Sequence, residues 1–304
     1  MRAVLCGGTG FIGTALAEAL SARGDEVWII TRSKPAAPAA GLLYATWDEW
    51  LADPNLTGPA EAIVNLSGAT IGRRWTREAK RRIVYSRTEA AGRLADIVRW
   101  MERPPAVLVN ASAISMYGHS ESADGRYPQP FDENSLPVRT DFLSDTIVQW
   151  ETAADLIPVP RIVKLRIGLA LGNEGGSYPM LSLPTKMFAG GRLGSGRQGM
   201  PWIHIEDIVG LILFCLDNDA IYGPVNAVAP ELADNDTFGR ALAKALHRPF
   251  WLHAPAWAIR AALGEMSALL LTGQFAVPRK ALEHGYTFRY PRLTDALRQL
   301  SGRS

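Results

Sequence analysis

Three glycines, Gly7, Gly10 and Gly13, stand in Gly-x-x-Gly-x-x-Gly spacing directly after an apolar run, Arg2 to Cys6, and directly before a segment of helical period that begins at Phe11. A residue without Cβ permits a tight turn and a close backbone approach, while a helix start offers free N–H groups and partial positive charge. These properties suit a pyrophosphate, and they make Gly7, Thr9, Gly10, Phe11, Ile12 and Gly13 candidate contacts of a dinucleotide. The second apolar run ends in Ile30-Thr31-Arg32-Ser33-Lys34. A site for NAD usually carries a carboxylate here, about 20 residues beyond the glycines, to hold the ribose 2′-hydroxyl. Asp25 and Glu26 precede the run and lie at its other end. Arg32 can pair with a 2′-phosphate and Ser33 can hydrogen-bond it, so NADP is expected in preference to NAD.

Other reactive side chains have quieter alternatives. His204 and Asp207, in Trp-Ile-His-Ile-Glu-Asp ahead of an apolar helix, form either an acid/base pair or a structural start to that helix, with Asp207 suited to cap it. The five histidines, His119, His204, His247, His253 and His284, lack metal-site spacing, and Cys6 and Cys215 lie far apart; neither a metal nor a disulfide framework is expected. Arg192 and Arg197, in the glycine-rich stretch 190–199, suit a phosphate or carboxylate on a substrate, or else belong to a solvated loop. Arg73, Arg74, Arg77, Lys80, Arg81 and Arg82 form the densest basic cluster. Glu78 interrupts it, and helical spacing spreads it over more than one face. With 32 Lys and Arg against 30 Asp and Glu overall, nucleic acid is not an expected partner.

These groups need elements to carry them. Arg2 to Cys6, Val27 to Thr31, Ala62 to Ser67, Ala106 to Ser112 and Arg161 to Leu171 read as strands, and Phe11 to Arg23, Thr76 to Met101 and Asp141 to Leu156 as helices. That alternation predicts an α/β protein with a parallel sheet and crossover helices. The stretch 172–199 reads as a loop over a site, with a helix near Met180 to Ala189. Helices follow from Ile205 to Leu216 and Asp236 to Leu246, with a strand between them at Val225 to Val228 and a mainly helical tail from Trp257. The expected organisation is a dinucleotide-binding portion over 1–230, in which 172–204 contribute to a substrate cleft, and a small C-terminal lobe over 231–304. A chain of 304 residues, 47% hydrophobic and 20% charged, is long enough for a large core, which excludes disorder. Its longest apolar stretches fall short of the roughly 20 residues that span a bilayer, and the first strand leads into glycines and a helix where a leader would have its cleavage site. A cytoplasmic protein without a membrane segment is expected.

Several segments together resemble the extended and atypical short-chain dehydrogenase/reductases, which include nucleotide-sugar epimerases: Gly7 to Gly13, Asn65-Leu66-Ser67-Gly68, Ser112 followed by Tyr117-Gly118, and Trp202 to Asp207. The tail narrows the resemblance. Gly264-Glu265-Met266, Leu269 to Leu271, Pro278-Arg279-Lys280 and Gly285 to Pro291 are similar to the C-terminal domain of the epimerase family proteins. The resemblance covers essentially the whole chain. It implies an α/β, Rossmann-type doubly wound parallel sheet that binds NADP, with a small, mainly helical C-terminal substrate lobe, and it adds Leu66, Ser67, Gly68 and Arg87 to the expected cofactor contacts.

In that superfamily a Tyr-x-x-x-Lys pair supplies the proton, the lysine lowering the phenol pKa. No tyrosine here is followed four positions later by lysine, and counting back from Trp150-Glu151 assigns those places to Leu143 and Ile147. An apolar pair cannot transfer a proton. Ser112 and Tyr117, at the strand end where relatives carry a catalytic Ser or Thr, become the leading candidates, with Ser115, Asp132, Glu133 and Asp141 behind them. Each also has a packing or local hydrogen-bonding interpretation. The expected function is an NADP-dependent oxidoreductase or nucleotide-sugar-epimerase-like enzyme acting on a small molecule. Its rival is a non-catalytic NADP(H)-binding protein that acts as a redox-responsive scaffold or binding partner. The two long helices could join two copies, so a monomer or homodimer is expected.

Overall fold

Short β-branched and apolar runs alternating with amphipathic helices give the first two thirds of the chain its layers. A computed structural model describes residues 1–302. Strands β1 (Arg2–Cys6), β2 (Glu26–Thr31), β3 (Leu42–Thr46), β4 (Ala62–Asn65), β5 (Val107–Ala113) and β6 (Arg161–Ile167) are interleaved with helices α1 (Phe11–Ala22), α2 (Trp47–Ala52), α3 (Arg77–Trp100) and α4 (Phe142–Ala154). Then come β7 (Leu169–Leu171), α5 (Tyr178–Lys186), β8 (Gly191–Leu193), β9 (Trp202–His204), α6 (Ile205–Asp217) and β10 (Gly223–Ala227). The remainder holds α7 (Asn235–Leu246), β11 (Leu252–Ala254), α8 (Ala256–Leu263), α9 (Ala268–Leu271), α10 (Arg279–Glu283) and α11 (Leu293–Leu300).

Seven strands form one parallel sheet in the order β10-β6-β5-β4-β1-β2-β3. Both faces are buried, as a parallel sheet requires. Ala3 and Leu5 point into a core shared with Leu16 and Leu20 of α1 and Ile208 and Leu211 of α6. Their neighbours Val4 and Cys6 point the other way, against Trp50 of α2 and Leu94 and Val98 of α3. Local chemistry starts the long helices: the Thr76 hydroxyl accepts from the Ala79 amide at 3.1 Å, and the Asp141 carboxylate accepts from the Ser144 amide at 2.8 Å. The strand order reverses between β1 and β4, which opens a crevice at their C-terminal ends.

Three expectations are corrected. The run Arg161 to Leu171 is two strands: at Gly168 the chain leaves the main sheet, and β7 pairs with β9 instead. A side chain at Gly168 would lie 2.0 Å from the Pro201 carbonyl oxygen, so glycine is what allows the two segments to meet. The helix after 172 spans Tyr178–Lys186, ending short of Ala189. Asp207 does not cap α6; His204 does, its Nδ1 accepting from the Glu206 amide at 3.2 Å. The Asp207 carboxylate instead accepts from the amides of Arg289 at 2.6 Å and Tyr290 at 2.9 Å, while the Tyr286 hydroxyl donates to the Asp207 carbonyl. Ala281 and Phe288 belong to the same core as α1 and α6, so the C-terminal segment is stitched into the sheet's own packing. A separate core brings Trp202, Phe238 and Leu242 together with Leu293 and Leu297.

Candidate functional site

The turn after β1 is built by close approach. Gly7 has φ +80°, and a Cβ on it would lie 2.9 Å from the Leu66 carbonyl; a Cβ on Gly13 would lie 2.4 Å from the Gly7 oxygen. Helix α1 starts at Gly10 with no side-chain cap, leaving its first amides for an incoming acceptor. Beside this turn runs a groove of about 570 Å³. Gly7, Thr9 and Gly10 from the turn, Arg32 from the end of β2, and Leu66, Ser67 and Gly68 from the end of β4 all line it. Seven of the sequence-derived contacts therefore share one hollow.

The others stand around it. The Phe11 ring is clasped by three glycines of the β7–α5 loop: a Cβ on Gly172, Gly175 or Gly176 would come within 2.4 to 2.9 Å of the ring. This contact ties the turn to the far side of the cleft. Ile12 packs against the core, and the Ser33 carbonyl accepts from the Thr31 hydroxyl at 2.6 Å. Arg87 lies behind Gly68, donating to the carbonyls of Ala69 at 3.1 Å and Ile83 at 2.9 Å, with its guanidinium 4.9 Å from the Trp150 ring centroid. Burial pushes its pKa down to about 10, and no carboxylate pairs with it among the described residues.

Ser112 and Tyr117 sit at the end of β5, but facing inward. The Ser112 hydroxyl donates to Glu151 at 2.6 Å, and Arg166 holds both oxygens of the same carboxylate, at 2.9 and 3.0 Å. Arg166 also donates to the Tyr117 hydroxyl at 2.6 Å, and that hydroxyl donates to Asn226 at 2.9 Å. Tyr117 is 1% exposed and stacked on Phe131; burial raises its pKa to about 12. Both hydroxyls are thus engaged inside a buried network under the cleft floor. Neither residue lines the groove beside the glycine turn. Leu143 and Ile147 lie on α4 as counted, within its first two turns.

One titratable pair, His119 with Asp141, escaped the sequence reading. His119 Nε2 lies 3.0 Å from the Asp141 carboxylate at the start of α4, and its Nδ1 faces the Gln274 amide at 3.4 Å. The hydrogen bond from His119 lowers the Asp141 pKa to about 2. Next to Asp141, Phe142 takes Trp75 edge-on at 5.3 Å and Lys80 at 5.1 Å, and Lys80 pairs with Glu265 of the C-terminal lobe. Arg197 pairs with Glu121 at 3.6 Å, Arg192 is exposed on β8, and neither lines the dinucleotide groove. His204 is buried against Tyr290 and Gln299, a structural position. Among the described residues there is no cluster suited to a metal, and no helix is long and apolar enough to cross a membrane.

This sheet, turn and groove define a dinucleotide-fold protein, and the chain belongs to the NAD dependent epimerase/dehydratase family, which matches residues 3–227. Residues 254–300 match a second family, described only as a domain of unknown function. The chain is 37% identical over 303 residues to the epimerase family protein YfhF of Bacillus subtilis, covering 99% of this chain and 98% of that protein. It is likewise 37% identical over 310 residues to the chloroplastic SDR39U1 homologue of Arabidopsis thaliana, covering 99% and 86%. Among solved structures it is similar to human epimerase family protein SDR39U1 (isoform2) with NADPH, at a TM-score of 0.89 and 35% identity over the full length of both chains. A nucleoside-diphosphate sugar epimerase from Corynebacterium glutamicum aligns at a TM-score of 0.75 and 25% identity, covering 99% of this chain and 58% of that one.

Proposed function

We propose that this chain binds NADP(H) and acts as an NADP-dependent oxidoreductase or nucleotide-sugar-epimerase-like enzyme on a small molecule held between the sheet and the C-terminal lobe. One observation carries the cofactor choice: the groove that begins at the glycine turn ends at Arg32, with no carboxylate at the end of β2. The residues fit the group. Uncapped amides of α1 suit the pyrophosphate, and Arg87 is a buried cation that an anion in the groove would compensate. Human SDR39U1, crystallised with NADPH, supports the same reading. When bound, the nicotinamide supplies a hydride donor or acceptor. Around it the protein's part is to orient, through the Phe11 clasp and the Lys80–Glu265 bridge, and to keep the floor rigid through Glu151 and Arg166. Arg192 and Arg197 would meet a phosphate or carboxylate on the substrate only after their loop moves toward the cleft.

A second reading, a non-catalytic NADP(H) sensor or scaffold, is favoured by the apolar Leu143 and Ile147 and the inward-facing Ser112 and Tyr117. NADPH carrying deuterium at either C4 position, incubated with the protein and a small-molecule cell extract, separates the two. Deuterium recovered in a metabolite by mass spectrometry is the expected result. NADPH bound with no label moved from either face would refute the enzyme and leave the sensor.

A further inference from the structure

We infer that Arg73 is the second jaw of an anion clamp which, with Arg32, grips the 2′-phosphate of the cofactor and sets the preference for NADP over NAD; this rests on the NADP reading above. Arg32 at the end of β2, Arg73 on the β4–α3 loop and Arg82 on α3 all line the one groove, and none of the three has a carboxylate partner among the described residues. A fourth arginine of the groove, Arg93, is paired with Glu89, which also lines it, whereas Arg32, Arg73 and Arg82 repel each other until an anion enters, and a phosphate monoester near neutral pH carries close to two charges. The pyrophosphate has its own amides at the glycine turn, so the cations of the other strand ends are left for a further charge.

Arg73 is the better placed of the two new candidates because its loop is built to hold it. The Gly72 amide donates to the Thr70 hydroxyl at 3.2 Å, the Thr76 amide to the Arg74 carbonyl at 3.0 Å, and the Trp75 indole to the Ile71 carbonyl at 3.0 Å. Upstream, the Ala69 amide donates to the Ser86 hydroxyl at 2.9 Å. A loop closed on itself in this way presents its arginine with little ordering left to do on binding. Arg82 also lines an outer hollow with Tyr85 and Gln149, so its charge is shared with the outside of α3. The same loop carries Trp75 against Phe142 of α4, so a ligand held by Arg73 also steadies the contact between this loop and α4.

The test is the affinity of NADPH and NADH, measured by titration calorimetry, for the unsubstituted full chain and for R32A, R73A, R73K and R82A, with circular dichroism to check folding. Expected is a loss of about tenfold or more for NADPH in R73A, with NADH changed by less than about threefold, partial recovery in R73K, and a smaller NADPH loss in R82A. Equal losses for both dinucleotides would assign Arg73 to the pyrophosphate and overturn the clamp. No loss, or a larger loss in R82A than in R73A, overturns it as well. An unsubstituted protein that binds NADH as tightly as NADPH sinks the NADP reading and the clamp together, and that failure is visible without any variant.

Discussion

Arg87→Met should make the empty protein no less stable while weakening its hold on NADPH. The guanidinium lies behind Gly68 with its pKa pushed from 12.5 to about 10 by burial. At about 1.4 kcal/mol per pKa unit, keeping that charge in place costs about 3 kcal/mol in the absence of an anion. Methionine fills similar volume without the charge, but it gives up the hydrogen bonds to Ala69 and Ile83, each worth about 1 kcal/mol. It also gives up the contact with Trp150, worth about 0.5 to 1 kcal/mol. The net effect on the empty protein is within about 1 kcal/mol of zero, or about 2 °C in melting temperature for a chain of this size. With NADPH the sign reverses, because the variant lacks the buried cation that an anion in the groove would compensate; affinity should drop by about ten- to a hundredfold. Differential scanning fluorimetry with and without NADPH reads both numbers. An empty variant melting more than about 6 °C lower, or one that keeps the full NADPH-induced rise, would refute the assignment of Arg87 as a buried cation awaiting an anion.

Gly13→Ala drives a methyl group into the Gly7 carbonyl oxygen, so it should destabilise the protein by about 2 to 3 kcal/mol in urea titrations and abolish NADPH binding in calorimetry. Arg166→Met leaves the Glu151 carboxylate buried without its bidentate partner and should cost about 3 to 5 kcal/mol, whereas Arg166→Met with Glu151→Gln should recover part of that loss. Asp141, held at about 2 in the folded protein against an ordinary 3.8, contributes stability that is fully present above about pH 4 and lost as the pH falls toward 2. The lost amount is about 2 kcal/mol; Asp141→Asn, which keeps a capping side chain, should flatten that part of the stability–pH curve measured by chemical denaturation. If His119→Gln leaves the wild-type acid profile unchanged, the pair is not what depresses Asp141.

What the sequence disclosed was set by distance along the chain. The glycine turn, the end of β2 and the helix starts near Thr76 and Asp141 are local, so residue type and spacing identify them within a few positions. The position of Ser112 and Tyr117 at the end of β5 was legible too. Their inward orientation was not, because it depends on Glu151, Arg166 and Asn226, which lie 39 to 109 residues away. The His119–Asp141 pair has no spacing signal, since a loop brings the histidine back to the start of α4. Arg73 looked like part of a solvated basic run; only the return of its loop to the groove beside the glycine turn, which Arg82 of the same run also lines, shows otherwise. Gly168 gave no warning that β6 and β7 part company, because Leu169 to Leu171 continue the same apolar pattern. The small strand β3 and helix α2 were passed over between 42 and 52, where the run is short and two tryptophans mask the change of period.

The grip of Asp207 on the backbone at 289 and 290 has a consequence for how the protein comes into being. On a ribosome the sheet is synthesised first, yet the outer side of α6 and one margin of the main core are roofed by Ala281, Tyr286 and Phe288, which arrive near the end. Until then the nascent protein exposes an apolar flank and an Asp207 carboxylate without its two amide donors. A cut near residue 230 would therefore bare that flank and leave the Asp207 carboxylate without both amides.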